Sequence, residues 1–137
     1  ASPGVEIRAT DASLAGRIRS AIARNDPSAV EMLISLSESL MDQGQGLEAL
    51  SMKERALVLR KEHFGTDSNE FLDECEGLVL LCNNMAMQFL RAEALEVALK
   101  LLRKAEALTD ARGVMQLHPR RSSLRAVTLN NLGCFYK

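Results

Sequence analysis

The chain has 137 residues, of which 47% are hydrophobic and 26% charged, a composition typical of a folded domain with a buried core. Its 17 basic and 18 acidic residues give a net charge of −1, which excludes a global field that would attract nucleic acid or an anionic membrane. No apolar run approaches the roughly 20 residues that cross a bilayer, so we expect no nucleic acid and no membrane as partner.

Every long segment has a helical period, and no alternating Val-rich or Thr-rich segment predicts a strand. In chain order, the apolar spacing predicts helices over about 11–24, 27–42, 47–62, 67–90, 92–110 and 120–137. The predicted fold is therefore all-α, with about six helices in stacked antiparallel hairpins.

Several residues predict where these helices begin and end. Asp26 and Pro27 separate the first two helices, because Asp caps a helix and Pro is tolerated at its start. Gly65 is the usual left-handed residue after a helix, and it ends the third. Asp67 with Glu70 three residues later forms a capping box for the fourth helix. That helix is apolar almost all round over residues 78–90, so we expect it to be heavily buried.

The three cysteines are odd in number and lie in helical apolar patterns, which favours free thiols over a disulfide framework. They are Cys75, Cys82 and Cys134. The start of the chain does not resemble a signal peptide, because Glu6 and Arg8 interrupt it. We therefore expect a cytoplasmic protein, with association with the cytoskeleton as a further option.

A paired asparagine occurs twice in one helical phrase, at residues 82–86 (CNNMA) and at residues 129–133 (LNNLG). Each phrase is followed by an aromatic residue, Phe89 in the first and Tyr136 in the second, and the two phrases lie 47 residues apart. A phrase that recurs together with its neighbours indicates an internal repeat.

Alanines provide a second repeated feature. Ala49 and Ala56 in one helix, and Ala98 and Ala105 in another, are each seven residues apart and so share one helical face. Small side chains at these positions let two helices approach closely. Both hairpins therefore follow one template.

These residues resemble the tetratricopeptide repeat family. The matching positions are Leu33, Leu36, Ser37, Leu40, Ala49 and Ala56; then Cys82, Met85, Ala86, Phe89, Ala98, Leu102 and Ala105; then Leu129, Leu132, Gly133 and Tyr136. Lys53 replaces a bulky apolar residue of the template, and the repeat spacing exceeds the usual length of about 34 residues. The longer repeat length and the phrase over residues 55–68 resemble the longer repeats of the kinesin light chain subgroup. This resemblance does not imply that the chain is a motor subunit.

The resemblance implies the following organisation. In chain order it comprises a flexible N-terminus over 1–10, a capping helix over 11–27, repeats over 28–65 and 66–110, a connection over 111–120, and the first helix of a truncated third repeat over 121–137. That last helix would leave Leu129, Leu132 and Phe135 without the second helix that covers them, which provides a surface for self-association.

The resemblance also implies that the first helix of each hairpin lines a concave groove, where carboxamides pair with the main chain of a bound peptide. The predicted partner-binding groove consists of Asn83, Asn84, Met87, Leu90, Arg91, Val127, Asn130, Asn131 and Cys134. The alternative is structural: one asparagine of each pair bonds a neighbouring helix, and the other is solvated.

A local basic cluster precedes the last helix. Arg120, Arg121 and Ser123 are candidates for an anion site or a phosphorylation site, because a phosphate on Ser123 would lie in the first turn of that helix. The alternative is a solvated connection whose helix is capped by Ser122.

Catalytic and metal-binding motifs are missing from the sequence. It has no Gly-rich phosphate loop, no nucleophile elbow and no Cys-x-x-Cys pair, and it has only two histidines. We therefore expect no enzyme, no metal and no cofactor. The predicted function is a non-enzymatic interaction module or scaffold that binds a protein or peptide. The alternative is a self-assembly element of a larger cytoskeletal or adaptor protein.

Overall fold

The computed structural model describes residues 9–137, apart from the side chains of residues 9–13 and 15. These residues form six helices and no strand, which confirms the predicted all-α class. The helices are α1 (Ala9–Ala23), α2 (Ser28–Asp42), α3 (Gly46–Phe64), α4 (Asn69–Arg91), α5 (Leu95–Leu108) and α6 (Arg121–Phe135). Within the described range, no helix is long and apolar enough to span a membrane.

The chain divides into two compact units between His63 and Phe64, here called unit 1 and unit 2. The flexible segment predicted for residues 1–10 lies outside the described residues except for its last two. Those two already belong to α1, which begins at Ala9, two residues before its predicted start.

Unit 1 packs α1, α2 and α3 around one apolar core. Its fully or almost fully buried members are Ile18, Val30, Leu33, Leu36, Leu40, Ala49 and Ala56. The apolar side of α1 faces this core, since Ile18 is buried and Leu14 and Ile22 pack against it. Both template alanines of α3 are completely buried, as close helix approach requires.

In unit 2, α5 packs against both α4 and α6, and α4 also packs against α6. Ala98, Leu102 and Ala105 of α5 are completely buried. The burial predicted for residues 78–90 holds on one side only, because Leu80 is 44% exposed and Asn84 is exposed. A period of 3.6 residues turns these positions away from α5.

The helix starts follow local hydrogen bonding. Asp26 accepts the Ser28 N–H at 2.9 Å, so it caps α2 as predicted. The cap predicted at Asp67 for α4 is wrong, because the Ser68 hydroxyl accepts the Phe71 N–H at 3.2 Å. Ser68 has the extended backbone of a cap residue, whereas Asp67 accepts a bond from its neighbour Thr66.

The turns inside the two hairpins have the same hydrogen bonds at a shift of 49 residues. In the first, Gln45 N–H donates to Leu40 C=O and Gly44 N–H to Met41 C=O; in the second, Ala94 N–H donates to Phe89 C=O and Glu93 N–H to Leu90 C=O. The distances are 2.8 and 3.0 Å in both turns. Gly44 and Glu93 both have left-handed backbone, with φ of 77° and 62°, which completes a Schellman motif at each helix end.

The connection predicted over 111–120 joins α5 to α6 and is anchored by two of its side chains. Met115 is completely buried and His118 is almost completely buried, whereas most of the other residues of the connection are exposed. A Cβ on Gly113 would lie 3.1 Å from the Ala107 carbonyl oxygen, so the tight turn there leaves little space for a side chain. Met115 and His118 thus fix an otherwise exposed connection to unit 2.

Candidate functional site

Helices α4 and α6 are joined by a buried polar contact, here called the asparagine seam, formed by Asn83, Thr128 and Asn131. The Asn83 amide nitrogen donates to Thr128 Oγ1 at 2.9 Å and to the Val79 carbonyl at 3.0 Å. Asn83 Oδ1 accepts from the Asn131 amide at 2.8 Å. Thr128 in turn donates to the Leu124 carbonyl at 3.0 Å. Every amide and hydroxyl hydrogen that Asn83 and Thr128 carry is thus used inside the protein.

The seam also shows that α4 and α6 run in the same direction. Glu76, in the first half of α4, pairs with Arg120 just before α6, while Asn83 bonds Thr128 about two turns further along both helices. The core residues of α4 face α5, and Asn83 faces α6. Positions that lie further around the helix, beyond Asn83 as seen from the core residues, are therefore on the side away from α5. Asn84 and Met87 are such positions.

Helical geometry places residues of both helices on that side, and we call this set of residues the open face. It consists of Asn84, Met87 and Arg91 from α4 and of Val127, Asn130 and Cys134 from α6. Four of them are exposed, and Met87 and Cys134 are half-buried. The open face combines two carboxamides with apolar groups and one cation, a composition that suits a peptide main chain with adaptable side-chain contacts.

The predicted groove residues therefore separate into two sets. The six residues of the open face are brought together, whereas Asn83 is only 4% exposed and has no free hydrogen-bonding group for a ligand. Asn131 is half-buried in the seam, and Leu90 is half-buried beside it. The structural alternative considered for the asparagines thus describes Asn83 and its partner Asn131.

The two asparagine pairs are not equivalent, although their sequences repeat. Asn83 is buried but Asn130 is exposed, and Asn84 is exposed while Asn131 is half-buried. The bond across the seam joins the first residue of one pair to the second of the other. Burial differs because α6 lies on the Asn83 side of α4.

Two residues of this region were missed by sequence reasoning. Thr128 is completely buried and central to the seam, and the spacing of four residues from Leu124 to Thr128 and on to Leu132 is the signal that could have identified it. Leu80, one turn before Asn84, extends the open face with an exposed apolar side chain.

The outer side of α6 carries apolar and aromatic residues of the second asparagine phrase and its surroundings. Leu129 is 45% exposed and Tyr136 is 63% exposed, and nothing lies within 4 Å of where a Cβ on Gly133 would stand. Leu132 is buried, so the expectation that it lacks cover is wrong, because it faces the core of unit 2. Phe135 is half-buried and stacks edge to face on Tyr136.

The basic cluster before α6 is occupied by internal contacts. Arg120 forms an ion pair with Glu76, and Arg121 donates to the Thr109 carbonyl at 2.8 Å, at the end of α5. Arg125 similarly donates to the Glu106 carbonyl at 2.9 Å. Guanidinium groups at a helix C-terminus satisfy its free carbonyls and favour its dipole. Ser123 is exposed, and the structure places no such contact on its side chain.

Glu76 also binds a buried histidine. His118 Nδ1 accepts the Arg120 N–H at 3.0 Å, so the ring proton lies on Nε2, which is 2.9 Å from Glu76 Oε1. Hydrogen bonding from the Arg120 guanidinium lowers the pKa of the Glu76 carboxyl from its ordinary value. The cluster fixes the connection onto α4 and offers no open position for a substrate.

The cysteines are chemically quiet. Cys75 and Cys82 are buried and Cys134 is half-buried, all without a disulfide. Burial raises the pKa of the Cys75 thiol to about 12, which keeps it protonated and unreactive at neutral pH. Within residues 9–137, no group of histidine, cysteine and acidic side chains is arranged to hold a metal ion.

Fold and site together define an all-α protein whose second unit presents one surface from two parallel, cross-bonded helices. No known protein-family model matches the chain, and no curated protein matches it either.

Proposed function

We propose that the chain is a non-enzymatic protein-interaction module of the tetratricopeptide type, and that it binds a peptide or a partner helix along the open face. The observation that carries this proposal is the asparagine seam. It fixes α4 and α6 side by side and leaves the amides of Asn84 and Asn130 exposed on the same side.

The chemistry of that surface supports a peptide ligand. A carboxamide donates and accepts, so two of them can pair with successive main-chain groups of an extended segment. Met87 and Val127 provide apolar contact area between them, and a methionine side chain adapts to different partners. A surface of this kind selects main-chain geometry more strongly than side-chain sequence.

Internal repetition supports the tetratricopeptide assignment. The end of α2, the start of α3 and the turn bonds between them recur 49 residues later in α4 and α5, and both second helices bury two alanines seven residues apart. Stacked hairpins of this family use first helices for recognition, and α4 and α6 hold the positions of first helices.

The test is selection from a phage-displayed peptide library, followed by fluorescence polarisation with one selected peptide. The double variant Asn84→Ala with Asn130→Ala removes both exposed amides, and we expect it to bind the peptide at least about tenfold more weakly, since each amide contributes about 1 kcal/mol. Its melting temperature stays within about 2 °C of the wild type, because neither side chain is buried.

A matched control uses a charged surface residue away from the open face, and Arg112→Gln on the α5–α6 connection serves for this. It should leave peptide affinity unchanged. If no peptide is enriched, or if the double variant binds as well as the wild type, the open face is not the binding surface.

The alternative function is self-assembly, which the exposed outer side of α6 favours. Leu129 and Tyr136 flank Gly133 there, so the helix offers an apolar strip with a small residue at its centre. Light scattering over a concentration series decides this alternative. A mass that rises with concentration, and falls back in Leu129→Lys, supports assembly, whereas a monomer at every concentration excludes it for this chain.

A further inference from the structure

A second surface, on unit 1, has an electrostatic character that differs from the rest of the chain. Between Ala12 and Asn25 the sequence contains three arginines and no acidic residue, whereas the whole chain has a net charge of −1. Most of this segment belongs to α1, whose apolar side faces the core of unit 1, so the arginines lie on the outer side. The three arginines thus lie between Asp11 and Asp26, in the second half of α1 and just after it.

The outer side of α1 forms a cleft with α2. Its volume is about 400 Å³, and it is lined by Gly16, Arg17, Ser20, Arg24 and Met32. Arg17, Ser20 and Arg24 follow the helical spacing of three and four, so Ser20 lies between the two arginines on one helical face. The apolar part of the lining is Met32 from α2, and Gly16 adds no side chain.

The arginines of the cleft are available for a ligand. Arg17 has no ion pair among the described residues, and Arg24 has only a long contact of 3.5 Å with Asp26, both side chains being exposed. The carboxylate of Asp26 is held mainly by the Ser28 N–H, and that hydrogen bond is the largest cause of its lowered pKa. An incoming carboxylate therefore competes only with a weak, solvated pair.

The spacing of the two arginines selects a kind of ligand. Seven residues of α-helix separate them, about 10.5 Å along the axis on nearly one face. A partner helix lying along the cleft places two carboxylates at the same distance when they are also seven residues apart, and a residue three or four positions after the first then faces Met32.

We propose that the cleft between α1 and α2 binds an acidic helix whose two carboxylates lie seven residues apart with an apolar residue between them. Arg17 and Arg24 bind the carboxylates, Ser20 donates between them, and Met32 contacts the apolar side chain. The proposal concerns unit 1 and does not depend on the open face of unit 2.

The experiment measures binding of a fluorescent, alanine-based helical peptide of about 18 residues, long enough to be helical in isolation. It carries two glutamates seven positions apart with a leucine between them. Its isomer has the same composition, with the glutamates five positions apart and thus about 140° apart around the helix. We expect the first peptide to bind at least about fivefold more tightly than the isomer, and salt to weaken it.

Arg17→Gln and Arg24→Gln should each weaken binding about three- to fivefold, as exposed ion pairs do, and Arg112→Gln should not change it. The double variant at Asn84 and Asn130 should also bind normally, which separates this result from the test of the open face. Equal affinity for the two isomers, or full binding by the arginine variants, overturns the proposal. Tighter binding of a duplex DNA or of phosphatidylserine vesicles at matched charge also overturns it.

Discussion

The hairpins α2–α3 and α4–α5 are built alike at the turn and differently in what surrounds it. In both, the first helix ends, the chain takes a left-handed residue, and the second helix begins at positions 49 residues apart. The second hairpin fills its template with Leu102 and Ala86, where the first has Lys53 and Ser37. The turn is thus conserved by local hydrogen bonding, while the packed face can vary.

Buried polar side chains have different kinds of hydrogen-bond partner in the two hairpins. Ser37 is completely buried in the first and satisfies itself with the Ile34 carbonyl of its own helix at 2.7 Å. Asn83 is buried in the second, and two of its three hydrogen bonds are to residues of α6. The hydrogen bond of Ser37 lies within one helix and needs no partner helix. In the seam, by contrast, the buried amide of α4 needs α6 for its hydrogen bonds.

The strongest test of this comparison substitutes one template position in both hairpins. Leu102→Ala should lower the free energy of unfolding by about 2–5 kcal/mol, because Leu102 is completely buried and its loss leaves a cavity. Lys53→Ala at the equivalent position should change it by less than about 0.5 kcal/mol. Urea denaturation measures both, and hydrogen exchange of α5 amides assigns the loss to unit 2. Equal effects would mean that the packed faces of the two hairpins do not differ at this position.

A second test removes the seam. Asn83→Ala should cost about 1–3 kcal/mol, since it leaves the buried Thr128 and the amide of Asn131 without their partner. The control is Asn84→Ala, one residue away and exposed, which should cost less than about 0.5 kcal/mol. Thermal unfolding of the two variants, compared under one condition, checks the difference. Similar melting temperatures would show that the seam adds little stability.

A third test exchanges the left-handed residues of the two turns. Glu93→Gly should stabilise the protein by about 0.5–1 kcal/mol, because glycine adopts a positive φ without the steric cost that a side chain carries. Gly44→Ala should destabilise it by about 1 kcal/mol for the same reason. Both are measured by denaturant midpoints. A loss of stability in Glu93→Gly would show that the Glu93 side chain has a compensating role.

The smallest effect at neutral pH comes from the titration of Cys75. Unit 1 has no equivalent position for comparison, because it contains no cysteine. Its folded pKa of about 12 lies above its ordinary value of 9.0, so the thiol contributes stability that is complete below pH 9. That contribution is lost as pH rises from 9 toward 12, where the unfolded chain ionises first. Cys75→Val should unfold with a weaker dependence on alkaline pH, measured by circular dichroism.

Much of the fold was predictable because its signals are local. Apolar periodicity placed all six helices, and Gly65, with a φ of 85°, ended α3 as expected. The errors lie where two neighbouring residues could both cap a helix, as with Asp67 and Ser68, or where the residue type did not indicate the backbone conformation. Glu93 is an example, since its residue type does not indicate a left-handed backbone; it lies inside the helix predicted over 92–110, which begins only at Leu95.

The site was less predictable because its contacts join distant parts of the chain. Asn83 and Thr128 are 45 residues apart, and no local pattern states which face of α4 meets α6. Repetition identified the asparagines but treated the pairs as equal. Only the relative rotation of α4 and α6 separates the seam residues from those of the open face.

The asparagine seam also fixes the axial position of α6 relative to α4. Apolar side chains alone would allow α6 to slide along α4 by a turn, about 5.4 Å, with similar contact area. The directional bonds of the Asn83 amide do not survive such a slide, because Thr128 and Asn131 would both move out of reach together. Any mechanical load along α6 would therefore be resisted by hydrogen bonds in shear, and the helix would detach in one step rather than shift its alignment.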